Sequence, residues 1–296
     1  MSTPYTDPLA PLGHLPGVPE AVAEARRAVD RVYGHRVMRR RAEEVTSESA
    51  LRGARASAAL EGADWPLEEV RRRTDYGQDD EARTVGGALR LNVEIGQLVG
   101  VWRHSPLQVL ARLHLLAAGE GGRPRVAGEP APEALPAELA ATEKFADAAP
   151  LPEFPAVATP AADEVAARLD GLAQLLAARA DAPKRPNTDT APALVVAAVV
   201  HGELLTLRPF PSHNGLVARA AQRLVLLAEG LDPKAICPSE VGLVELGTAD
   251  YRAALAGYAS GTPEGMAAWI GHLSRALRLG VRETTAVCEA MQRGMV

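Results

Sequence analysis

Residues 191–207, APALVVAAVVHGELLTL, form the most apolar stretch of the chain, broken by His201, Glu203 and Thr206. A helix that is hydrophobic nearly all round has no face to offer water and must be enclosed by other elements. Its longest apolar run, ALVVAAVV, is too short for a bilayer span, which takes roughly 20 residues. The enclosing shell therefore has to be protein. The rest of the sequence says what kind of shell: hydrophobic content is 47% but aromatic content only 4%. A core of Ala, Leu and Val suits close-packed helices, whereas a β-sandwich draws on β-branched and aromatic residues. No sustained strand alternation and no repeat period occurs, so the predicted fold class is all-α.

Helical spacing supplies the neighbours. One long helix is expected from Pro19 to residue 45, with Val22, Ala25, Val29 and Val32 on one face. Within it the run Met38, Arg39, Arg40 and Arg41 reads as a solvated face. Thr46, Ser47 and Ser49 offer caps for a second helix that Gly62 would stop. Pro66 opens a short helix, and residues 82–104 form a longer one with Ala88, Leu91, Ile95 and Leu98 in register. Ser105 and Pro106 make a clean start for the next. From Gly119 to Pro160 the texture changes to Gly, Pro, Ala and Glu, with a small β-hairpin expected around residues 122–127. Helices resume at 162–181, 191–207 and 216–230; a turn at 231–238 precedes two more, at 247–261 and 262–287. The expected organisation is an N-terminal helical extension, residues 1–66, before a helical core, residues 67–296.

The charge balance, 32 basic against 37 acidic residues, leaves a net charge of −5. Nucleic-acid binding and anionic-membrane binding both call for a basic excess, so neither is expected. Lys occurs only at Lys144, Lys184 and Lys234; the preference for Arg and Ala is that of a GC-rich genome. Cys237 and Cys288 are far apart and form no C-x-x-C, and no signal peptide is visible, which points to a reducing cytoplasm. Metalloprotease, zinc, P-loop and serine-hydrolase motifs are absent, so no metal ligands are assigned. His114 and His201 lie on apolar helical faces and are expected to be satisfied core residues.

The loop that follows the apolar helix carries the functional signal. It runs Arg208, Pro209, Phe210, Pro211, Ser212, His213, Asn214, Gly215, Leu216, Val217, Ala218, Arg219. An Asn-Gly pair at a helix start, with arginines beside it, is a place to hold an anion. The stretch resembles the signature of the Fic (Fido) family, His-Pro-Phe-x-Asp/Glu-Gly-Asn-Gly-Arg-x-x-Arg. Pro209, Phe210, Asn214, Gly215 and Arg219 match it; Arg208, Ser212, His213 and Leu216 stand where the family has histidine, an acid, glycine and arginine. The helix before the loop, the segment 110–126 and the terminal helices are also similar to that family, from about Ser57 to Ala276. So is SAALEG, residues 57–62, which fits the family's [S/T]-x-x-x-E-[G/N] inhibitory helix.

The resemblance implies a Fic-like helical domain with a β-hairpin flap that docks a protein partner, here between Arg123 and Val126. It implies ATP or another nucleotide as ligand, gripped by Arg219, and Glu61 with Ser57 as the inhibitory element that pairs with that arginine. The family's AMP transfer uses the loop histidine as base and the acid to hold Mg²⁺. Arg208 cannot be a base, since guanidinium stays protonated, and a general base is worth roughly 10²–10⁴-fold. Ser212 is uncharged and a poor anchor for Mg²⁺.

Three readings follow. The first is a degenerate Fic-fold protein that keeps an anion- or nucleotide-binding loop at Arg208, Ser212, Asn214, Gly215 and Arg219 and acts by binding. The second is an active nucleotidyltransferase with His213 as a relocated base. The third is a structural or assembly protein. The sequence does not define the oligomeric state.

Overall fold

The computed structural model describes residues 6–119, 160–182 and 189–295, and every regular element among them is helical. In chain order these are α1 (Val18–Tyr33), α2 (Ala42–Leu60), α3 (Leu67–Arg72), α4 (Asp80–Trp102), α5 (Pro106–Ala118) and α6 (Ala162–Asp181). There follow α7 (Ala193–Leu207), α8 (Asn214–Ala228), α9 (Ser239–Leu246), α10 (Thr248–Ala259) and α11 (Pro263–Gln292). The expected hairpin lies outside the described residues. Among the described residues no helix is long and apolar enough to cross a membrane.

The apolar run becomes the axis of the molecule: 13 of the 15 residues of α7 are buried. It starts behind Pro192, which cannot donate an intrahelical bond, and packs against α8, α10 and α11. Burying each Leu or Val contributes about 1.5–3 kcal/mol before entropy is counted. An acid at the fully enclosed Val196 would be an unpaired charge with no route to water, a change that α7 should not survive. Trp269 of α11 fills the space beside α7 and donates its indole N–H to Ala198 O at 2.8 Å. The 30-residue α11 opens on a capping threonine, with Thr262 Oγ1 accepting from Gly265 N at 3.1 Å. It carries α1 and α9 along its length. Side chains at Gly242 and Gly280 would strike the backbone at Ala276 and Pro238, so α9 lies against α11 backbone to backbone.

Two N-terminal expectations are corrected. The single helix from Pro19 to residue 45 breaks at Gly34, and a 3₁₀ turn at Arg36–Arg39 follows. Val37 and Met38 turn inward there, while Arg39 and Arg40 remain exposed. Thr46, Ser47 and Ser49 are not caps but lie inside α2. The Ser47 hydroxyl donates to Glu43 O, and that of Ser49 to Ala235 O. Gly62, at φ 94°, does stop α2. α9 was not expected, because eight residues are too few to establish a helical period.

α2 packs against α4, α8, α9 and α11, so its last turn faces the start of α8. That placement builds the site.

Candidate functional site

The loop between α7 and α8 is a closed ring. Phe210 N donates to Asn214 Oδ1 at 3.0 Å, and Asn214 Nδ2 donates to Phe210 O at 2.7 Å. The Asn214 side chain is thus committed to shaping the loop. Two non-glycine residues are left-handed: Arg208, which ends α7 at φ 46°, and His213, the residue before α8, at φ 61°. Such a conformation costs about 1–3 kcal/mol for a residue with a side chain. In the signature that the loop resembles, glycine stands where His213 does, the residue type that meets this requirement without strain.

Arg219 lies one turn into α8 and is only 1% exposed. Its Nε donates to Ser57 Oγ at 2.8 Å, and its Nη2 to Ser57 O at 3.1 Å and to Glu61 Oε1 at 2.6 Å. Burial works against its charge, yet Glu61 and the neighbouring Tyr251 outweigh that and hold the guanidinium protonated above its ordinary range. Nη1 has no hydrogen-bond partner among the described residues. The Glu61 carboxylate rests against Gly215, where a Cβ would collide with Oε1 and sit 3.1 Å from Arg219 Nη1. An anionic oxygen therefore already occupies the N-terminal turn of α8, where unpaired N–H groups and the helix dipole favour negative charge. Ser57, Glu61, Gly215 and Arg219, which the sequence reading grouped, come together.

A second set of groups flanks this anion cradle. His213 Nδ1 is 2.7 Å from Ser212 Oγ. Burial pushes the His213 pKa down, with Glu61 opposing and Arg90 adding to the shift. Arg90 of α4 donates through Nε to Leu116 O at 2.7 Å, tying the end of α5 to the site. His114 stacks on Phe210 with ring centroids 4.6 Å apart and meets the His213 ring edge at 6.4 Å. It is 2% exposed, and neither of its ring nitrogens has a partner among the described residues. The expectation of a satisfied core histidine fails for His114: its ring neighbours are Phe210 and His213, and neither gives its nitrogens a hydrogen bond. Burial, with a smaller push from His213, lowers its pKa from 6.5 to about 4.

For His201 the expectation holds. Its Nδ1 meets Gln222 Oε1 and its Nε2 the Tyr251 hydroxyl at 2.6 Å. Burial takes its pKa down to about 3, so the ring is neutral. Arg208 is exposed where the loop begins. Periodicity placed His114 correctly on an inward face but carried no sign that its partners would be rings. Arg90 and Tyr251 had no local signature; their roles come from which helices meet.

Mg²⁺ does not fit this loop. The ion calls for carboxylate, phosphate or water oxygen. Residues 208–213 offer one side-chain oxygen, Ser212 Oγ, which already faces His213, and Glu61 is engaged by Arg219. Among the described residues no group of three or more His, Cys, Asp or Glu could hold a metal ion.

No family model and no curated protein sequence matches the chain. Among solved structures, the chain is similar to a Fic family protein from Desulfovibrio desulfuricans G20. The TM-score is 0.56 at 20% identity, covering 97% of this chain and 77% of the other.

Proposed function

The chain has a Fic-type fold, and we propose that it works as a ligand-binding member of that architecture. On this reading the N-terminal turn of α8 holds a phosphate-bearing ligand of the nucleotide class, and Glu61 occupies the place of that ligand's anionic oxygen. The observation that carries it is the Glu61 carboxylate lying on Gly215 and bonded to a buried arginine at 2.6 Å. A cradle that accepts one carboxylate, with a further N–H group of Arg219 still unpartnered, can accept phosphate oxygens once Glu61 withdraws. Arg208, at the position of the family's base, cannot take a proton, and the loop does not suit Mg²⁺. Efficient AMP transfer is therefore not expected. A protein partner docked through the segment between Arg123 and Val126 belongs to the same reading.

Calorimetry with ATP and with inorganic phosphate tests it on the wild type and on Glu61→Gly. The variant should bind at least tenfold more tightly, because the competing carboxylate is gone. No binding by Glu61→Gly would refute the cradle. Labelled ATP with Mg²⁺ tests the other half: robust labelling of the protein or of added targets by Glu61→Gly would refute the loss of AMP transfer. One contact favours a second reading, in which the loop does chemistry: the 2.7 Å approach of His213 to Ser212.

A further inference from the structure

We propose that Ser212 is a nucleophile, that His213 is its base, and that the start of α8 with Arg219 stabilises the negative charge that develops when Ser212 attacks. The substrate class is an activated ester or anhydride, carboxylic or phosphoric, carrying an oxygen that becomes more negative in the transition state. The inference rests on the reading that the α8 N-terminus holds an anion.

Three requirements of covalent catalysis meet at one helix end. A hydroxyl needs a base within roughly 2.6–3.2 Å, and Ser212 Oγ lies 2.7 Å from His213 Nδ1. The base must be unprotonated near neutrality, and burial of His213 favours its neutral form. The developing oxyanion needs preorganised donors where water is scarce. α8 is 15 residues long, its first turn carries Gly215 with no side chain in the way, and a carboxylate oxygen already lies there.

An independent observation points to a ligand at this place. Arg219 is 1% exposed, and its Nη1, which meets no acceptor in good hydrogen-bond geometry although the Tyr251 hydroxyl is close to the guanidinium, lies 3.1 Å from where a Cβ on Gly215 would stand. A buried guanidinium N–H without an acceptor costs about 1–3 kcal/mol, and an incoming oxygen would remove that cost. The left-handed His213 immediately before the helix places the hydroxyl and its base at a sharp turn. Strained turns of this kind are a recurring way to present a reactive side chain.

The step balances. The Ser212 Oγ–H proton passes to His213 Nδ1 as the Oγ–C or Oγ–P bond forms. The leaving group departs with the bonding electron pair and collects the proton from His213. Water, deprotonated by the same ring, then releases the adduct. Glu61 covers the anion cradle, so the wild type should react slowly and Glu61→Gly faster.

A fluorophosphonate reports the first half alone, since Oγ–P forms, P–F breaks and fluoride leaves. Intact-mass spectrometry and peptide mapping should show one adduct, on Ser212, forming faster in Glu61→Gly than in the wild type. In the Glu61→Gly background, Ser212→Ala should show none. His213→Asn, which keeps a residue tolerant of the left-handed turn, should slow labelling by about 10²-fold or more. The labelling rate should also fall as acid protonates the base, with its midpoint below 6.5. No adduct in folded Glu61→Gly, an adduct elsewhere, or an unchanged rate in His213→Asn overturns the proposal. Phosphate binding by the same Glu61→Gly protein separates the two readings. Binding without labelling ends the nucleophile alone, whereas absence of binding ends the anion cradle on which it rests.

Discussion

Replacing Gly215 by alanine sets two effects of opposite sign against each other, and their balance reads out the cradle. Gly215 has ordinary helical backbone within α8, so alanine should be the better residue there by up to about 1 kcal/mol, less in a first turn. The added methyl, however, collides with Glu61 Oε1 and crowds Arg219 Nη1. Glu61 must leave the helix end, and Arg219, 1% exposed, then keeps the two neutral acceptors of Ser57 and its neighbour Tyr251 but no carboxylate. Removing one partner of a buried ion pair costs about 3–5 kcal/mol. The lower end applies, since Glu61 can swing toward solvent while Ser57 continues to hold Nε and Nη2. Subtracting the helix gain, Gly215→Ala should destabilise the protein by about 2–3 kcal/mol.

The double variant isolates the contact. With Glu61→Ala already in place, the ion pair is gone and Gly215→Ala should be neutral or stabilising by up to about 1 kcal/mol. The coupling between the two sites is therefore about 3 kcal/mol. Urea unfolding measures it as a shift in midpoint at constant slope. Phosphate binding should distinguish the two single variants as well: Glu61→Gly opens the cradle, whereas Gly215→Ala fills it. If Gly215→Ala is as stable as the wild type, or loses the same amount with and without Glu61, the carboxylate does not sit on this helix end.

The buried histidines predict the acid limb of stability. In the folded protein His201 titrates at about 3, and His114 and His272 at about 4, against 6.5 for an unhindered ring. Between those values the unfolded chain binds more protons, so stability is full above pH 6.5 and falls as pH drops toward 4. His114→Phe retains the stack on Phe210 and removes one such group. Its stability advantage over the wild type should widen by about 2 kcal/mol between pH 7 and pH 4.5, allowing for partial screening by solvent. Urea midpoints at the two pH values check this, and a constant difference would refute a neutral buried His114. Gly53→Ala should destabilise although it favours the α2 helix, because the methyl would press on Arg223 Nη1 and approach Glu240 Oε2 to 3.3 Å. Overpacking of this kind costs about 1–3 kcal/mol, seen as a lowered Tm; a raised Tm would mean that Arg223 moves freely.

What the sequence disclosed and what it hid divide along a physical line. The apolar run at 193–207 could be read as a central helix because its composition leaves it no solvent face, α4 followed from local period, and α5 from its Ser105–Pro106 start. The break at Gly34 was hidden because Val37 and Met38 suit either a helix face or an inward 3₁₀ turn; only packing decides. Ser49 looked like a cap because its real partners, Ala235 O and Arg223, are more than 170 positions away. The Ser57–Glu61–Arg219 cluster was legible for a different reason. Its two halves resemble short motifs of the Fic family, and it is that resemblance, not the spacing within either half, that implies the pairing of Glu61 with Arg219.

The same division explains why His114 was misjudged and why it matters to the loop. An inward-facing histidine is satisfied only if a polar group arrives from another element, and the residue that arrives is Phe210. Phe210 is held there by the Asn214 ring of hydrogen bonds, which also fixes the start of α8. The stack, the loop and the helix end therefore move as one unit. A ligand that displaced Phe210 would expose His114 to water, returning its pKa toward 6.5 and drawing a proton from solvent below that pH. Binding that leaves the loop in place takes up no such proton. Proton uptake measured by calorimetry in buffers of differing ionisation enthalpy at pH 5.5 thus separates the two modes: an anion held in the cradle by Arg219 alone should bind without the fraction of a proton that opening the loop requires.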